Sequence, residues 1–359
     1  MTTVLNVLDF GQFQDLAQPF NKALSAASKI SNKNHSVEIF IPTGEYELST
    51  LSIENINNLV IHFGPNCNIR ALDKGKWNWN GQIFSGWLNV VNCNQIEIWG
   101  EDRSSIDGAG STWWPKSSSK EKQCKIRPTM IIINQCTQLT FRNLSISNSP
   151  YYHLRVIDSN HLKFLNLNIN SPSTSPNTDG INIYGGSTDV EIAHCMVHNG
   201  DDAFAVNAFK KPCSQISIHD CVLSAGHGAS IGSAINNQIE NISFENLQIS
   251  NTRWGLRIKS IGGKVGKVNQ VTFSNIQLNN ITENPILLTT YYKKDNPNPS
   301  TIFTNITYSN ISSSKSGLDA GFRVVKPVIQ VPSPIVLNNV VLNNVSKKVT
   351  DNNVPLTWN

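Results

Sequence analysis

Three aspartates in this sequence have the number and spacing that acid–base chemistry requires. Asp201 and Asp202 are adjacent in GDD, and Asp179 precedes them in NTDG. Cleavage of a glycosidic bond needs one carboxylic acid to protonate the leaving oxygen and a second carboxylate to direct water or attack carbon. Neighbouring carboxylates raise one another's pKa, which keeps a proton available. A lone Asp in a turn is usually structural, but an adjacent pair of like charges favours a functional interpretation.

Three basic side chains follow the aspartates along the chain. His227 lies in GHG, and Arg257 and Lys259 lie in RIK. Residues two apart in a strand point to the same face, so Arg257 and Lys259 can bind one substrate carboxylate together. These residue types indicate hydrolysis of an acidic glycoside. A solvated basic edge is the alternative interpretation of the RIK pair.

A repeated pattern explains how residues so distant in sequence could meet. Alternating apolar residues followed by Asn or Asp recur every 23 to 29 residues, at the anchors Leu139, Leu162, Val190, Ile216, Ile242 and Val271. Such a period is typical of stacked repeats. The short β-branched runs leave no room for a crossover helix, which favours a parallel β-helix over leucine-rich repeats. The candidate site residues occur late in successive repeats, so stacking brings them to one side.

One elongated repeat array can use the whole chain, so we expect a single domain over residues 1–359. Near its start, Leu16, Phe20, Leu24 and Ala27 recur at helical spacing. They predict an amphipathic helix within about residues 10–30. We expect this helix to cap the open end of the core, because an uncovered end exposes strand edges and apolar surface.

The chain contains seven cysteines, so at least one thiol is unpaired in a monomer. Cys195 and Cys221 each follow an anchor by five residues, and Cys136 and Cys213 each precede one by three. These spacings indicate inward positions on neighbouring coils. The cysteines there could be small buried residues, or some of them could form disulfides.

Composition limits the partners. The formal net charge is +4, with 39% hydrophobic and 15% charged residues, which suits a packed core and an anionic partner. No basic helix or zinc-finger spacing indicates nucleic-acid binding, and no apolar run approaches the roughly 18 residues that span a bilayer. HExxH, paired CxxC and EF-hand motifs are absent from the sequence, so we expect no metal or other cofactor. We expect a monomer.

Four motifs carry a resemblance to a known family. NTDG at 177–180, GDD at 200–202, GHG at 226–228 and RIK at 257–259 occur in this order. Together they resemble the signature motifs of the polygalacturonase family of glycoside hydrolases, and IPTGEY from Ile41 and IDGAGSTWW from Ile106 extend the similarity. The resemblance implies an all-β, right-handed parallel β-helix. It also implies a secreted enzyme that hydrolyses α-1,4-linked galacturonic acid bonds in pectin or polygalacturonate with inversion, although the first residues contain no visible signal peptide.

The resemblance also implies a role for each acid. Asp201 would be the general acid, and Asp179 and Asp202 would position and deprotonate the attacking water. His227 would hold the protonation state and orientation of the acid. The sequence departs from the family at Gly200 and Ala203, where Gln and Cys are common, so a disulfide often found there is absent.

Four further residues would bind the substrate. Arg257 and Lys259 would bind the galacturonate carboxylate, and Asn177 would contact sugar or orient its neighbours. Tyr292 resembles a tyrosine that lines the family's site, although the adjacent Tyr291 is an alternative.

Other functions remain open at this stage. The chain could bind pectin without cutting it, could hydrolyse rhamnogalacturonan, or could be a lyase of the same architecture, which would need an acidic calcium site. The sequence does not decide between endo and exo attack, which depends on loops such as 115–125 and 293–300.

Overall fold

The computed structural model describes residues 2–11, 14–76, 81, 85–115, 127–261, 266–289, 292, 301–314, 322–325, 333, 335–343 and 356–358. The chain divides into two compact units, Met1–Thr178 and Asp179–Asn359. The single domain over residues 1–359 stays a prediction. Within the described residues, no helix has both the length and the apolar character needed to cross a membrane. Most of loops 115–125 and 293–300, and Tyr291, lie outside these residues.

The first unit consists of short parallel strands joined by tight turns. Its strands are β1 Thr2–Asn6, β2 Ser36–Ile41, β3 Gly44–Leu48, β4 Leu51–Glu54, β5 Asn57–Phe63, β6 Cys67–Ala71, β7 Gly86–Val91, β8 Asn94–Gly100, β9 Ser105–Asp107, β10 Thr129–Asn134, β11 Thr137–Arg142, β12 Ser145–Ser147, β13 Leu154–Ile157, β14 Asn160–Leu165 and β15 Asn168–Asn170. They pair in three parallel columns: β2, β5, β8, β11 and β14; β3, β6, β9, β12 and β15; and β4, β7, β10 and β13. Three columns of stacked parallel strands are the arrangement of a parallel β-helix.

The second unit repeats this arrangement. Its strands are β16 Ile181–Ile183, β17 Thr188–Ala193, β18 Met196–Asn199, β19 Phe204–Ala208, β20 Cys213–His219, β21 Val222–Ala225, β22 Ala229–Ile235, β23 Gln238–Glu245, β24 Gln248–Ser250, β25 Leu256–Lys259, β26 Lys267–Asn279, β27 Ile286–Thr289, β28 Ile302–Ser314, β29 Phe322–Val325, β30 Ile335–Leu342 and β31 Leu356–Trp358. One column contains β16, β19, β22, β25, β27 and β29, and we call it the front sheet. The other columns follow β17, β20, β23, β26, β28, β30 and β31, and β18, β21 and β24 with the later part of β26.

The strand register confirms the predicted repeat within each unit. Leu139 pairs with Leu162 in the first unit, and Val190, Ile216, Ile242 and Val271 pair successively in the second. The residue before each of these anchors, and before the equivalent Leu59, Ile96 and Ile306, has a left-handed backbone, with φ between +52° and +60°, at Asn58, Gln95, Gln138, His161, Asp189, Gln215, Asn241, Gln270 and Asn305. Polar residues that accept this conformation therefore bend the described strands at the same register position.

Alternate residues of each strand fill the interior. In the second unit, Phe244, Phe273 and Tyr308 stack on successive coils, with ring centroids 4.9 and 4.8 Å apart and nearly parallel planes. All three side chains are buried. Like residues at equivalent positions thus stack at the spacing set by parallel strand pairing.

One α-helix, α1 (Ala17–Ile30), and two 3₁₀ helices, Val7–Phe10 and Gly110–Thr112, accompany these strands in the described part of the chain. The sequence predicted a helix within about residues 10–30, and α1 begins at Ala17, whose amide donates a hydrogen bond to Asp15 Oδ1. The four residues of the predicted apolar stripe are buried. Phe20 and residues of the first coils line a small apolar cavity of about 20 Å³, so α1 covers apolar interior of the first unit.

The structure decides between the two predicted states of the cysteines, small buried residues or disulfides. Cys67, Cys93, Cys136, Cys195, Cys213 and Cys221 are all buried and form no disulfide, and Cys124 lies outside the described residues. The Cys195 amide lies 3.4 Å from Cys221 Sγ, which confirms that these two occupy neighbouring inward positions. Here the cysteines serve as small apolar core residues.

Candidate active site

The front sheet aligns the polar residues of the second unit. Its register pairs Ile181 with Phe204, Phe204 with Ala229, and Ala229 with Leu256. The residues two positions before these four are Asp179, Asp202, His227 and Trp254. Because the strands are parallel and in register, these four residues lie at the same end of adjacent strands.

Two glycines allow the backbones to approach closely at this end. Gly226 has φ +58°, and a Cβ there would lie 2.3 Å from the carbonyl oxygen of Asp201. Gly228 has φ +67°, and a Cβ there would lie 2.3 Å from the carbonyl oxygen of Gly255. Between them, the His227 amide donates a 2.8 Å hydrogen bond to that Asp201 carbonyl. The GHG motif therefore fixes His227 directly over Asp201.

Asp201 is the most exposed of the three acids. Its Oδ1 lies 2.8 Å from His227 Nδ1, and both side chains are 21% exposed. The Asp202 amide also donates a 2.9 Å hydrogen bond to Asp201 Oδ1. The His227 ring packs edge-on against Trp254, with centroids 4.7 Å apart, which restricts its rotation. This carboxyl group is thus held in a fixed orientation where solvent and substrate can reach it.

Asp202 is buried and surrounded by donors. Lys259 Nζ donates to its Oδ2 at 2.7 Å, Ser230 Oγ donates to its Oδ1 at 3.0 Å, and Arg257 Nη2 also donates to Oδ1. Burial alone would raise the pKa of Asp202, but Arg257, Lys259 and His227 outweigh it and lower this pKa to about 2. Asp202 is therefore a carboxylate at every physiological pH.

Asp179 has the opposite electrostatic environment. It is 6% exposed, and Asn182 Nδ2 donates a 3.1 Å hydrogen bond to its Oδ2. Burial raises the pKa of Asp179 well above its usual value, and the nearby negative charges of Asp201 and Asp202 raise it further. The second unit therefore holds two buried acids whose proton affinities are driven in opposite directions, a property typical of acid–base sites.

Arg257 and Lys259 both point from β25 towards Asp202. Arg257 is fully buried, and its guanidinium lies 4.1 Å from the centroid of the Trp254 ring. Lys259 Nζ lies 4.9 Å from the ring centroid of Tyr292, which is 39% exposed. The structure thus brings Tyr292 next to the RIK lysine.

Asn177 lies in the first unit. Its backbone has φ +55°, and its side-chain oxygen accepts a 3.0 Å hydrogen bond from Arg127 Nη2. The same nitrogen donates to the Pro176 carbonyl at 2.8 Å, and the Arg127 guanidinium lies 5.2 Å from the ring centroid of Tyr151. Arg127 therefore fixes the turn that carries Asn177.

Comparison with known proteins assigns the family. Residues 32–357 match the sequence model described as Glycosyl hydrolases family 28. The chain belongs to this family. A probable polygalacturonase from Arabidopsis thaliana is 33% identical over 260 residues, which cover 69% of this chain and 54% of that protein. The chain thus spans about half the length of this relative.

Solved structures share the fold of this family 28 chain. An exopolygalacturonase from Thermotoga maritima has a TM-score of 0.80 at 18% identity, covering 94% of this chain and 88% of the other. A polygalacturonase from Erwinia carotovora ssp. carotovora has a TM-score of 0.76 at 24% identity, covering 99% and 96%. The predicted fold class, an all-β right-handed parallel β-helix, is confirmed by these likenesses.

Three residues around the acids were not singled out from the sequence of this family 28 chain: Asn182, Ser230 and Trp254. A signal was present, because Ser230 follows Asp202 by 28 residues and precedes Arg257 by 27, which is one coil in each direction. Projecting every polar residue on the repeat, rather than only charged ones, would have found it.

Two of the acids and the histidine of this family 28 chain lie close enough together to hold a metal ion. Ligand atoms of Asp201, Asp202 and His227 lie within 4.8 Å of one another. Arg257 and Lys259 already bind Asp202 and would repel a further cation, so we assign no metal to these residues.

Proposed function

We propose that this chain is a polygalacturonase, which hydrolyses α-1,4-linked galacturonic acid bonds in pectin and polygalacturonate by a single inverting displacement. The observation that carries the proposal is the arrangement of the acids in one sheet of the second unit. Asp201 is accessible and held by His227, whereas Asp202 and Asp179 are buried with oppositely shifted pKa values. Inverting hydrolysis requires one acid to protonate the leaving oxygen while another activates water.

In the proposed reaction, Asp201 protonates the glycosidic oxygen and His227 orients it. Asp202, which is ionised, accepts a proton from the attacking water, and Asp179 helps to hold that water. With a pKa of about 2, Asp202 is a weak base in the unliganded protein. A galacturonate carboxylate that binds near Arg257 and Lys259 would offset their positive charge and raise the pKa of Asp202. Substrate binding would therefore prepare the base.

Substrate binding in this proposal depends on residues around the acids. Lys259 and Arg257 provide positive charge for the sugar carboxylate, and the exposed Tyr292 ring beside Lys259 offers a surface for the sugar. We further propose that Asn177, held by Arg127, contacts the sugar or orients its neighbours. We also propose that the enzyme is a secreted monomer that acts on plant cell-wall polymer, without a nucleic-acid or membrane partner.

The test is the reaction of the full chain with polygalacturonic acid. We expect new reducing ends without the ultraviolet absorbance of an unsaturated product, and proton NMR should show the β-anomer first. Asp201→Asn should abolish this activity. Asp220→Asn is the matched control, because Asp220 Oδ2 also lies 2.7 Å from a histidine, Nδ1 of His219, but Asp220 follows β20, a strand outside the front sheet.

The outcomes separate the alternatives. Binding of polygalacturonate without bond cleavage would mean a non-catalytic pectin-binding protein, and cleavage of rhamnogalacturonan alone would mean a different hydrolase. An unsaturated product would mean a lyase. If Asp220→Asn were as inactive as Asp201→Asn, the assignment of the acid would be wrong.

A further inference from the structure

Ser230 lies between a buried carboxylate, that of Asp202, and a buried guanidinium, that of Arg257. Its hydroxyl donates a 3.0 Å hydrogen bond to Asp202 Oδ1 and accepts a 3.1 Å hydrogen bond from Arg257 Nε. Both partners and Ser230 itself are buried, with exposed fractions of 3%, 0% and 0%. We propose that Ser230 is a positioning residue for the hydrolysis proposed above, and that its hydroxyl fixes Asp202 and Arg257 in their working orientations.

The chemistry of a hydroxyl group makes this assignment specific. A serine has one proton to donate, and a carboxylate can only accept, so the proton is directed to Asp202. The oxygen lone pairs then face Arg257 Nε, which can only donate. Because neither Asp202 nor Arg257 can exchange its role, the serine has one orientation that satisfies both partners.

The strand pairing places Ser230 at this point. The front sheet pairs Ser230 with Ala205 on one side and with Arg257 on the other. The Trp254 ring covers the Arg257 guanidinium at 4.1 Å, so Arg257 contacts both an aromatic face and the serine hydroxyl.

The charges that face Asp202 determine how loss of the Ser230 hydroxyl would affect the ionisation of Asp202. Arg257 and Lys259 donate to Asp202, His227 Nδ1 lies 3.9 Å away, and Asp179 and Asp201 add negative charge. Without the hydroxyl, Asp202 loses one of its side-chain donors, and Arg257 Nε loses its acceptor in a buried place. The first effect makes the ionised form of Asp202 less favourable, and the second lowers the stability of the fold whatever the protonation state of Asp202.

The experiment compares Ser230→Ala, Ser230→Thr and a control in the full chain. Ser230→Ala should lower kcat on polygalacturonate about tenfold with KM within about twofold, and should move the acidic limb of the kcat profile upwards by about one pH unit. Ser230→Thr retains the hydroxyl and should recover most of the activity. Ser313→Ala removes another buried serine, from β28 outside the front sheet, and should leave kcat and its pH profile unchanged.

A second measurement does not depend on activity. The pKa of Asp202 is low in the folded chain, so its ionisation stabilises the fold above the unfolded-state pKa, and this stabilisation is lost as the pH falls through about 2. The stability difference between wild type and Ser230→Ala should therefore be full at pH 6 and shrink towards pH 2. Ser313→Ala should show a pH-independent difference.

The role of Ser230 and the proposed function can be refuted independently of each other. A wild type without hydrolase activity would refute the function, while the stability comparison would still test the serine. A stability difference that is equal at pH 6 and pH 2 would show a purely structural role and would refute the inference. A Ser230→Thr variant as impaired as Ser230→Ala, with unchanged stability, would also refute it.

Discussion

Replacing Asp202 by Asn and Asp201 by Asn should separate the two adjacent acids by stability, although both changes should abolish hydrolysis. The two substitutions are isosteric and neutralise one charge each. Their surroundings differ, because Asp202 is the shared partner of Arg257 and Lys259, whose side chains are 0% and 5% exposed. Asp201 has a histidine partner and is 21% exposed.

The expected loss of stability follows from the charged groups that remain after each substitution. Neutralising Asp202 leaves two buried cations without their carboxylate, and breaking a buried ion pair costs about 3–5 kcal/mol. With an unfolding entropy of about 2.1 cal/mol/K per residue, such a loss lowers the Tm of a chain of this size by about 4–7 °C. For Asp201→Asn, a partly exposed interaction is lost, and we expect a change below about 1 kcal/mol, or less than about 2 °C.

The assay is calorimetric unfolding of wild type and both variants at pH 6, with hydrolysis of polygalacturonate measured on the same samples. We expect both variants to be inactive and only Asp202→Asn to unfold earlier. Equal Tm values for the two variants would refute the argument that Asp202 neutralises the buried cations. A larger loss for Asp201→Asn would refute it as well.

Three further predictions concern single positions. The gain in unfolding free energy from Asp179→Asn over wild type should be larger at pH 7 than at pH 4, because the raised pKa of Asp179 makes its ionisation in the folded chain costly. Denaturant titrations of both proteins at the two pH values measure this gain, and an equal gain at pH 4 and pH 7 would contradict the prediction. Gly226→Ala should cost about 3–5 kcal/mol of unfolding free energy because its Cβ meets Asp201 at 2.3 Å, whereas Gly75→Ala, with φ +89° and no atom within 4 Å, should cost only about 1–2 kcal/mol in the same urea titration. Phe20→Ala should cost about 3–5 kcal/mol, since this buried ring lines the apolar cavity under α1, and a loss below about 1 kcal/mol in thermal unfolding would mean that α1 does not cap the core.

The fold could be predicted from the sequence because a solenoid repeats the same apolar pattern in each coil. The anchors from Val190 to Val271 were paired correctly from sequence spacing alone, since each coil presents the same apolar alternation. The helix was found from its apolar stripe, whose first residue, Leu16, directly precedes the start of α1 at Ala17.

The residue types of the site could be predicted from the sequence, but their contacts and burial could be predicted only in part. The charged members were found because their types are unusual in a coil that is otherwise rich in Asn and Ser. Ser230 was missed because a serine does not stand out in such a coil unless its spacing of one coil from Asp202 and from Arg257 is noticed. Nor could spacing reveal that Arg257 would be fully buried, because alternation along a strand gives the face and not the depth.

The left-handed residue that precedes each anchor has a consequence for how such a chain can evolve. Only a few side chains accept that backbone conformation cheaply, so a coil is constrained strongly at this and its few other left-handed positions and weakly at most others. Mutations can accumulate along the strands as long as size and polarity are kept, while the turn-forming positions hold the winding constant. A lineage can therefore acquire new surface chemistry coil by coil without losing its shape.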